Sequence, residues 1–242
     1  VAVIDAKLKL VGDSVIDAGI CTVTEAVALT ELEVAEFIRR RFQEEGLEAA
    51  DGPVVAVNVH SSDPHFDPTP ENAVAIKPGD WLLVDLWARP AGADTMYADI
   101  TWVAYVGNIV PALHQRVFDT VIGARDAAVD ALSEAFDTAR VLQGWELDRV
   151  ARDHIERAGY GDHFNHRLGH SLGSEVHGNA VNLDGWETHD TRTVINGVGV
   201  TIEPGVYLPE FGVRSEVDIY LGEDGPEITG NLQTEIVQIE TS

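Results

Sequence analysis

Asp85 lies inside Trp81-Leu82-Leu83-Val84-Asp85-Leu86-Trp87, a run so apolar that an ionised carboxylate at its centre loses water and needs a compensating partner. Asp99, in Tyr97-Ala98-Asp99-Ile100-Thr101-Trp102, takes the same place in the next β-rich run. If the two runs pair as a hairpin, the carboxylates repel at close range unless a cation lies between them. The alternative is two solvated acids on an exposed face, an ordinary fate in a chain with 41 Asp and Glu. Downstream, His163-Phe164-Asn165-His166-Arg167-Leu168-Gly169-His170, with His177 following, gathers imidazoles that can bind a transition metal or shuttle protons. Glu203 ends an apolar strand just before Pro204-Gly205, and Glu216 sits inside Gly212-Val213-Arg214-Ser215-Glu216-Val217. Asp85, Asp99, His170, Glu203 and Glu216 together supply four carboxylates and one imidazole. That donor set neutralises two divalent cations and suits Mn, Co, Fe or Zn, so charge balance points to a site for two metal ions.

Strands and turns must hold these side chains. Thr30-Glu31-Leu32-Glu33 carries a capping-box pattern, and Val34, Phe37, Ile38 and Phe42 continue it as a surface helix that stops at Gly46. Residues 54–59 read as a strand and residues 61–72 as a loop rich in Pro and Asp. Residues 81–87 and 96–106, separated by Pro90-Ala91-Gly92, form the hairpin that carries the two aspartates. Pro111 opens a long helix striped with Leu113, Val117, Val121, Ala124, Ala128 and Leu132. Another helix bears Leu147, Val150, Ala151, Ile155 and Ala158 and ends at Gly159. Residues 198–202, 213–221 and 235–239 make the last third strand-rich. This order lacks regular strand-helix alternation, so it implies an α+β domain with a mainly antiparallel sheet, and no repeat or low-complexity linker divides residues 1–242.

The formal net charge is −25 at pH 7. Like charge repels nucleic acid and anionic membrane, so neither is an expected partner. Acids are spread along the whole chain and the only lysines are Lys7, Lys9 and Lys77. That pattern fits a halophilic surface adapted to high salt or an ordinary acidic cytoplasmic protein. No run approaches the ~18 apolar residues of a membrane helix, and no signal-peptide pattern opens the chain, so a soluble, cytoplasmic protein is expected. Cys21, the single cysteine, excludes an internal disulfide and a cysteine-rich metal site. The first residue is Val1, with no initiator Met, which suggests a processed chain or part of a longer one.

Further marks complete a pattern. Pro64-His65-Phe66, Asp85, Tyr97-Ala98-Asp99-Ile100-Thr101, His166 with Gly169-His170-Ser171-Leu172-Gly173, His177, Ile202-Glu203-Pro204-Gly205 and Gly212-Val213-Arg214-Ser215-Glu216 follow one another from about Thr30 onward. In content and order they resemble the creatinase, aminopeptidase P and prolidase group of M24 metallopeptidases, relatives of methionine aminopeptidase. The resemblance implies the pita-bread fold, a curved, mainly antiparallel sheet flanked by helices with pseudo-two-fold symmetry. It implies that Asp85 binds one metal, Asp99 and Glu216 bridge both, and His170 with Glu203 bind the other. Manganese is expected first, with cobalt, zinc or iron as alternatives. A hydroxide held between the metals would attack the scissile carbonyl, with Glu203 accepting the proton and passing it to the leaving amine. His65 and His177 match histidines that contact substrate and stabilise the tetrahedral intermediate, while His166 and Arg214 match residues lining the site. The implied substrate is a small peptide with an Xaa-Pro bond, cut by an aminopeptidase or a dipeptidase.

Several residues depart from that pattern. Trp87 stands where the group has Gly, Trp102 where it has Arg, and Gly178-Asn179 follow His177 in place of an acid or a proline. The thirteen residues between Asp85 and Asp99 exceed the group norm. These changes surround the substrate pocket and leave the ligands intact, so metal binding is read more firmly than Xaa-Pro specificity. The group's N-terminal domain, which closes the substrate site and supports a homodimer, is read as absent, leaving one catalytic domain over residues 1–242. Two other functions stay open: an amidase-type hydrolase of a small non-peptide C–N substrate, and a non-catalytic binding scaffold on the same fold. Metal-free and silent members lack ligands that this chain retains. Glu235 lies beyond the motifs, on the terminal strand, and is read as structural.

Overall fold

The apolar run around Asp85 becomes the central strand of a sheet covered on both faces. The computed structural model describes residues 29–239; Lys7, Lys9 and Cys21 lie outside the described residues. Helix α1 (Glu31–Glu44) leads into β1 (Leu47–Glu48), β2 (Val54–Val57) and a 3-10 turn (Asn58–Ser62), then the long hairpin β3 (Trp81–Pro90) and β4 (Ala98–Val106). Helices α2 (Ala112–Asp137) and α3 (Gly144–Arg157) follow. The remaining strands are β5 (Ser171–Leu172), β6 (Gly199–Ile202), β7 (Gly205–Tyr207), β8 (Gly212–Arg214), β9 (Val217–Gly222), β10 (Gly225–Ile228) and β11 (Val237–Ile239). One sheet runs β1-β3-β4-β11, with β2 also on β3, and a second runs β10-β9-β6-β5; β7 and β8 pair alone. Every pairing is antiparallel except β11 with β4. The architecture is α+β, as expected from the order of elements. Among the described residues no helix is long and apolar enough to cross a membrane.

Alternation along the hairpin decides which way the acids face. Leu82, Val84 and Leu86 on β3, with Ile100 and Ala104 on β4, pack against Val34, Ile38 and Phe42 of α1. Each such apolar side chain contributes ~1.5–3 kcal/mol when fully buried. Trp81, Leu83 and Val103 point the other way, into the core shared with α2, α3, β6 and β9. Side chains two apart on a strand share a face, so Asp85 and Trp87 on β3, and Asp99 and Thr101 on β4, look toward that second body. The register corrects one expectation: Asp85 pairs with Thr101 and Asp99 with Trp87, so the aspartates are diagonal neighbours and not directly opposed. A diagonal pair leaves more room between Cβ atoms than a facing pair.

Helix α1 begins as its sequence predicts. Thr30 Oγ1 accepts from the Glu33 amide at 3.2 Å, and Glu33 Oε2 accepts from the Thr30 amide at 2.7 Å. Glu31, in the first turn, is not a surface acid. It is fully buried, and its carboxylate accepts from the amides of Val57 at 2.6 Å and Val74 at 2.9 Å and meets His60 Nδ1 at 2.9 Å. His60 in turn stacks on Phe66, ring centroids 4.3 Å apart. One carboxylate thus ties α1 to the start and end of the loop that carries His65. Glu31→Ala strands these donors in the interior and is expected to lower stability by about 3 kcal/mol in urea unfolding; a loss under ~1 kcal/mol would show that the loop does not depend on it.

Candidate metal centre

Three local features bring acids from distant segments together. The β3-β4 hairpin delivers Asp85 and Asp99 on one face. The chain then leaves β6 through Glu203 and Pro204, and passes from β8 to β9 through Ser215 and Glu216. The Glu216 amide donates to Thr101 O at 3.2 Å, and the Asp99 amide donates to Asp218 Oδ2 at 3.0 Å, so the second sheet is fastened to β4 beside the aspartates. His170 enters from the segment before β5, its amide donating to Thr201 Oγ1 at 3.0 Å. A Cβ on Gly169 would lie 2.1 Å from Thr201 O, which is why glycine precedes His170.

Asp99, His170 and Glu216 each offer a ligand atom within 4.8 Å of the others, and all three are buried. His170 Nε2 lies 3.4 Å from Glu203 Oε1 and 3.7 Å from Asp99 Oδ2. The other ring nitrogen, Nδ1, is 3.2 Å from Ser171 O, a carbonyl that can only accept. The Nε2 lone pair therefore faces carboxylate oxygens, an arrangement that a cation between them would satisfy. Asp85 Oδ1, Asp99 Oδ1 and Glu216 Oε1 are buried and receive no hydrogen bond among the described residues. Orphaned acceptors of this kind are rare in native interiors. Four carboxylates and a neutral imidazole form a donor set that fits a hard or borderline divalent cation.

Charge crowding leaves its mark on the titrating groups. Burial, then the neighbouring Asp85, Glu203 and Asp218 charges, hold the Asp99 carboxyl well above its usual range. Burial and then Asp99 do the same for Glu216, and burial pushes Glu203 up to about 7 despite the Arg214 charge beside it. Burial drives the His170 imidazole down to about 3, keeping it neutral and able to ligate. Arg214 is a cation set directly among these acids. It bonds Asp85 Oδ2, reaches within 3.9 Å of Glu203 Oε2, and donates to Thr101 Oγ1 at 3.1 Å and Tyr207 OH at 2.9 Å. Tyr207 OH lies 2.8 Å from His166 Nε2, whose Nδ1 faces Arg167 O at 2.7 Å. The chain of donors runs from Arg214 through Tyr207 and His166 to that carbonyl.

All nine residues singled out from the sequence line one cleft of about 610 Å³: Asp85, Asp99, His170, Glu203, Glu216, His65, His166, His177 and Arg214. His177 packs edge-on against His170, centroids 4.5 Å apart, and burial followed by the Arg167 charge lowers its pKa. Glu235 is exposed and does not line the cleft. Three site residues went unnoticed in the sequence. Thr101 Oγ1 donates to Glu216 Oε2 at 2.7 Å, and Thr201 Oγ1 donates to Glu203 Oε1 at 3.1 Å. Each threonine sits two positions before or after an acid on a strand, the spacing that puts both on one face. Tyr207, at the end of β7, has a hydroxyl pushed up to about 12 by burial, and no spacing rule marks it.

Comparison with known proteins agrees with this geometry. Residues 9–223 match the profile of metallopeptidase family M24. The chain is 31% identical over 233 residues to the Xaa-Pro dipeptidase of Pyrococcus furiosus, covering 94% of this chain and 60% of that protein. The crystal structure of dipeptidase PepE from Mycobacterium ulcerans superposes with a TM-score of 0.83 at 26% identity, covering 99% of this chain and 59% of that one. The X-Pro aminopeptidase from Thermotoga maritima superposes at 0.80 and 27% identity, covering 98% and 62%. The chain therefore spans a little under two thirds of the length of each relative, and its fold is the pita-bread arrangement they share. A profile match over most of its length, on a fold that gathers the same ordered motifs into one cleft, places this chain in metallopeptidase family M24.

Proposed function

We propose that the chain is the catalytic unit of a metal-dependent Xaa-Pro peptidase that holds two divalent cations, manganese foremost, between Asp85, Asp99, His170, Glu203 and Glu216. The observation that carries this reading is that Asp99, His170 and Glu216 offer ligand atoms within 4.8 Å of one another, in a cleft where Asp85, Asp99 and Glu216 each keep a buried carboxylate oxygen without a hydrogen bond. The names of the Pyrococcus and Thermotoga relatives support the peptide bond and the proline. Cations bound there supply Lewis acidity, polarising a carbonyl and making water a stronger acid. The chain's own residues supply the rest. Glu203, in the cleft beside His170, accepts the proton from water and returns it to the leaving amine. Arg214 keeps Asp85 in place, and Tyr207 with His166 keeps Arg214 in place. His65 and His177, facing the same cleft, hold the substrate carbonyl as charge develops on it.

Metal analysis with saturating manganese, followed by assays on Xaa-Pro dipeptides, longer Xaa-Pro peptides and proline-free controls, tests the proposal. About two equivalents of metal and proline-dependent cleavage are expected; less than one equivalent contradicts the two-metal site. Asp99→Ala and Glu216→Ala should each lower kcat/KM by more than ~1000-fold, and a variant keeping full turnover would show that the metal ligands are wrongly assigned.

The pKa shifts give a second test, on metal-free protein. A carboxyl whose folded pKa is raised stabilises the fold fully below its ordinary value and loses that contribution as pH rises through the folded value. For Glu203 the window runs from the ordinary glutamate range up to about 7. His166 and His170, both lowered to about 3, act in the opposite sense, losing stability as pH falls from 6.5 toward 3. Comparing variant with parent cancels the histidines. In chelator, Glu203→Gln is expected to gain stability over the parent progressively between the ordinary glutamate range and about pH 7, read by urea unfolding. A gain independent of pH would contradict a raised Glu203.

A further inference from the structure

The mouth of the cleft is built differently from its floor. Trp87 stands two residues after Asp85 on the same face of β3 and faces Asp99 across the hairpin, so its indole forms the wall next to the acids. The ring packs against Gly52, where a Cβ would fall 2.5 Å from Cζ2 and where φ is +67°. Only glycine fits there. This contact brings Trp87 Nε1 to 3.0 Å from Asp51 Oδ1, fixing an exposed carboxylate at the rim. Indole N–H is a donor only, so it holds the Asp51 oxygen without neutralising its charge. Asp67 and Glu187 also line the mouth, and the facing cation, Arg167, is already within 3.7 Å of Glu187. The floor guanidinium of Arg214 is committed to Asp85 and Tyr207. Among the described lining residues, a substrate carboxylate meets no unshared arginine or lysine, whereas a cationic group meets a fixed, unneutralised Asp51.

We propose that Asp51, oriented by Trp87, is a specificity residue that binds the basic side chain of the residue on the N-terminal side of the scissile bond. This rests on the peptidase reading above. The α-amino group of such a substrate is next to the reacting carbonyl, so it would sit at the buried acids, and a long, flexible Arg or Lys side chain is the kind that would span the cleft that these acids and Asp51 both line. The negative field of the whole chain adds to the attraction during approach.

The test compares kcat/KM for Arg-Pro and Met-Pro tripeptides of otherwise identical sequence, with manganese supplied, in the parent, Asp51→Asn and Asp51→Glu. The parent is expected to favour the Arg peptide, Asp51→Asn to cut the Arg/Met ratio about fivefold, and Asp51→Glu to restore most of it, in line with a partly solvated ion pair. Trp87→Phe, which removes the N–H but keeps a ring, should lower the ratio by a smaller factor. A ratio unchanged in Asp51→Asn, whether both rates hold or both fall together, overturns the inference while leaving the peptidase reading intact. If the parent cleaves neither tripeptide, the same ratios are read on the Arg-Pro and Met-Pro dipeptides, and cleavage of none of the four peptides would overturn the peptidase reading, and this inference with it.

Discussion

Four carboxylates share one buried pocket, and their mutual repulsion is the constraint that the rest of the structure answers. Two like charges about 4 Å apart repel by ~4 kcal/mol at an effective dielectric constant of ~20, before any desolvation is counted. Protein groups relieve only part of this. Arg214 neutralises Asp85, threonine hydroxyls donate to Glu203 and Glu216, and three carboxylate oxygens still lack a donor among the described residues. The raised carboxyl pKa values of Asp99, Glu216 and Glu203, set by burial and by neighbouring carboxylates, express the same imbalance. A site so arranged is unfavourable empty and favourable around cations, which makes metal binding and local stability one quantity.

Holding such a site requires rigid supports on every side. The β3-β4 hairpin is buried on both faces, so Asp85 and Asp99 cannot turn outward without exposing the apolar residues that alternate with them. Helix α3 contributes from the opposite side. Its buried Arg152 pairs with Asp148 at 2.9 Å and donates to Phe164 O and His166 O, while Asp148 accepts from the Leu168 amide. That pair sets the backbone leading to His166 and His170. Glu31 does the equivalent for the loop bearing His65. The Arg152–Asp148 pair and Glu31 are buried charges held by hydrogen bonds to the backbone, in contrast to the orphaned oxygens of the cleft.

Much of this was legible before the structure. An acid in the middle of an apolar strand, a histidine cluster beside glycines, and Glu followed by Pro-Gly are local signals, and of the residues they mark all but His163 line one cleft; His163 Nδ1 instead lies 3.2 Å from Tyr207 O. What escaped depends on distance in space. The diagonal placement of Asp85 and Asp99 is set by the turn over residues 91–97, which carries no short hairpin signature. Thr101 and Thr201 were within reach of a two-residue alternation rule applied to the acids beside them. Tyr207 and Glu31 were not, because their partners lie 7 to 43 residues away. Trp87, first noted as a departure from the family pattern, proves to be the wall of the cleft and the holder of Asp51.

The central claim is that cations complete the carboxylate pocket. Crystals grown with manganese, measured at an energy where manganese scatters anomalously, test it most directly. The account predicts two anomalous peaks in the cleft, in contact with Asp85, Asp99, His170, Glu203 and Glu216. No peak among these residues, or peaks only on surface acids, would contradict it.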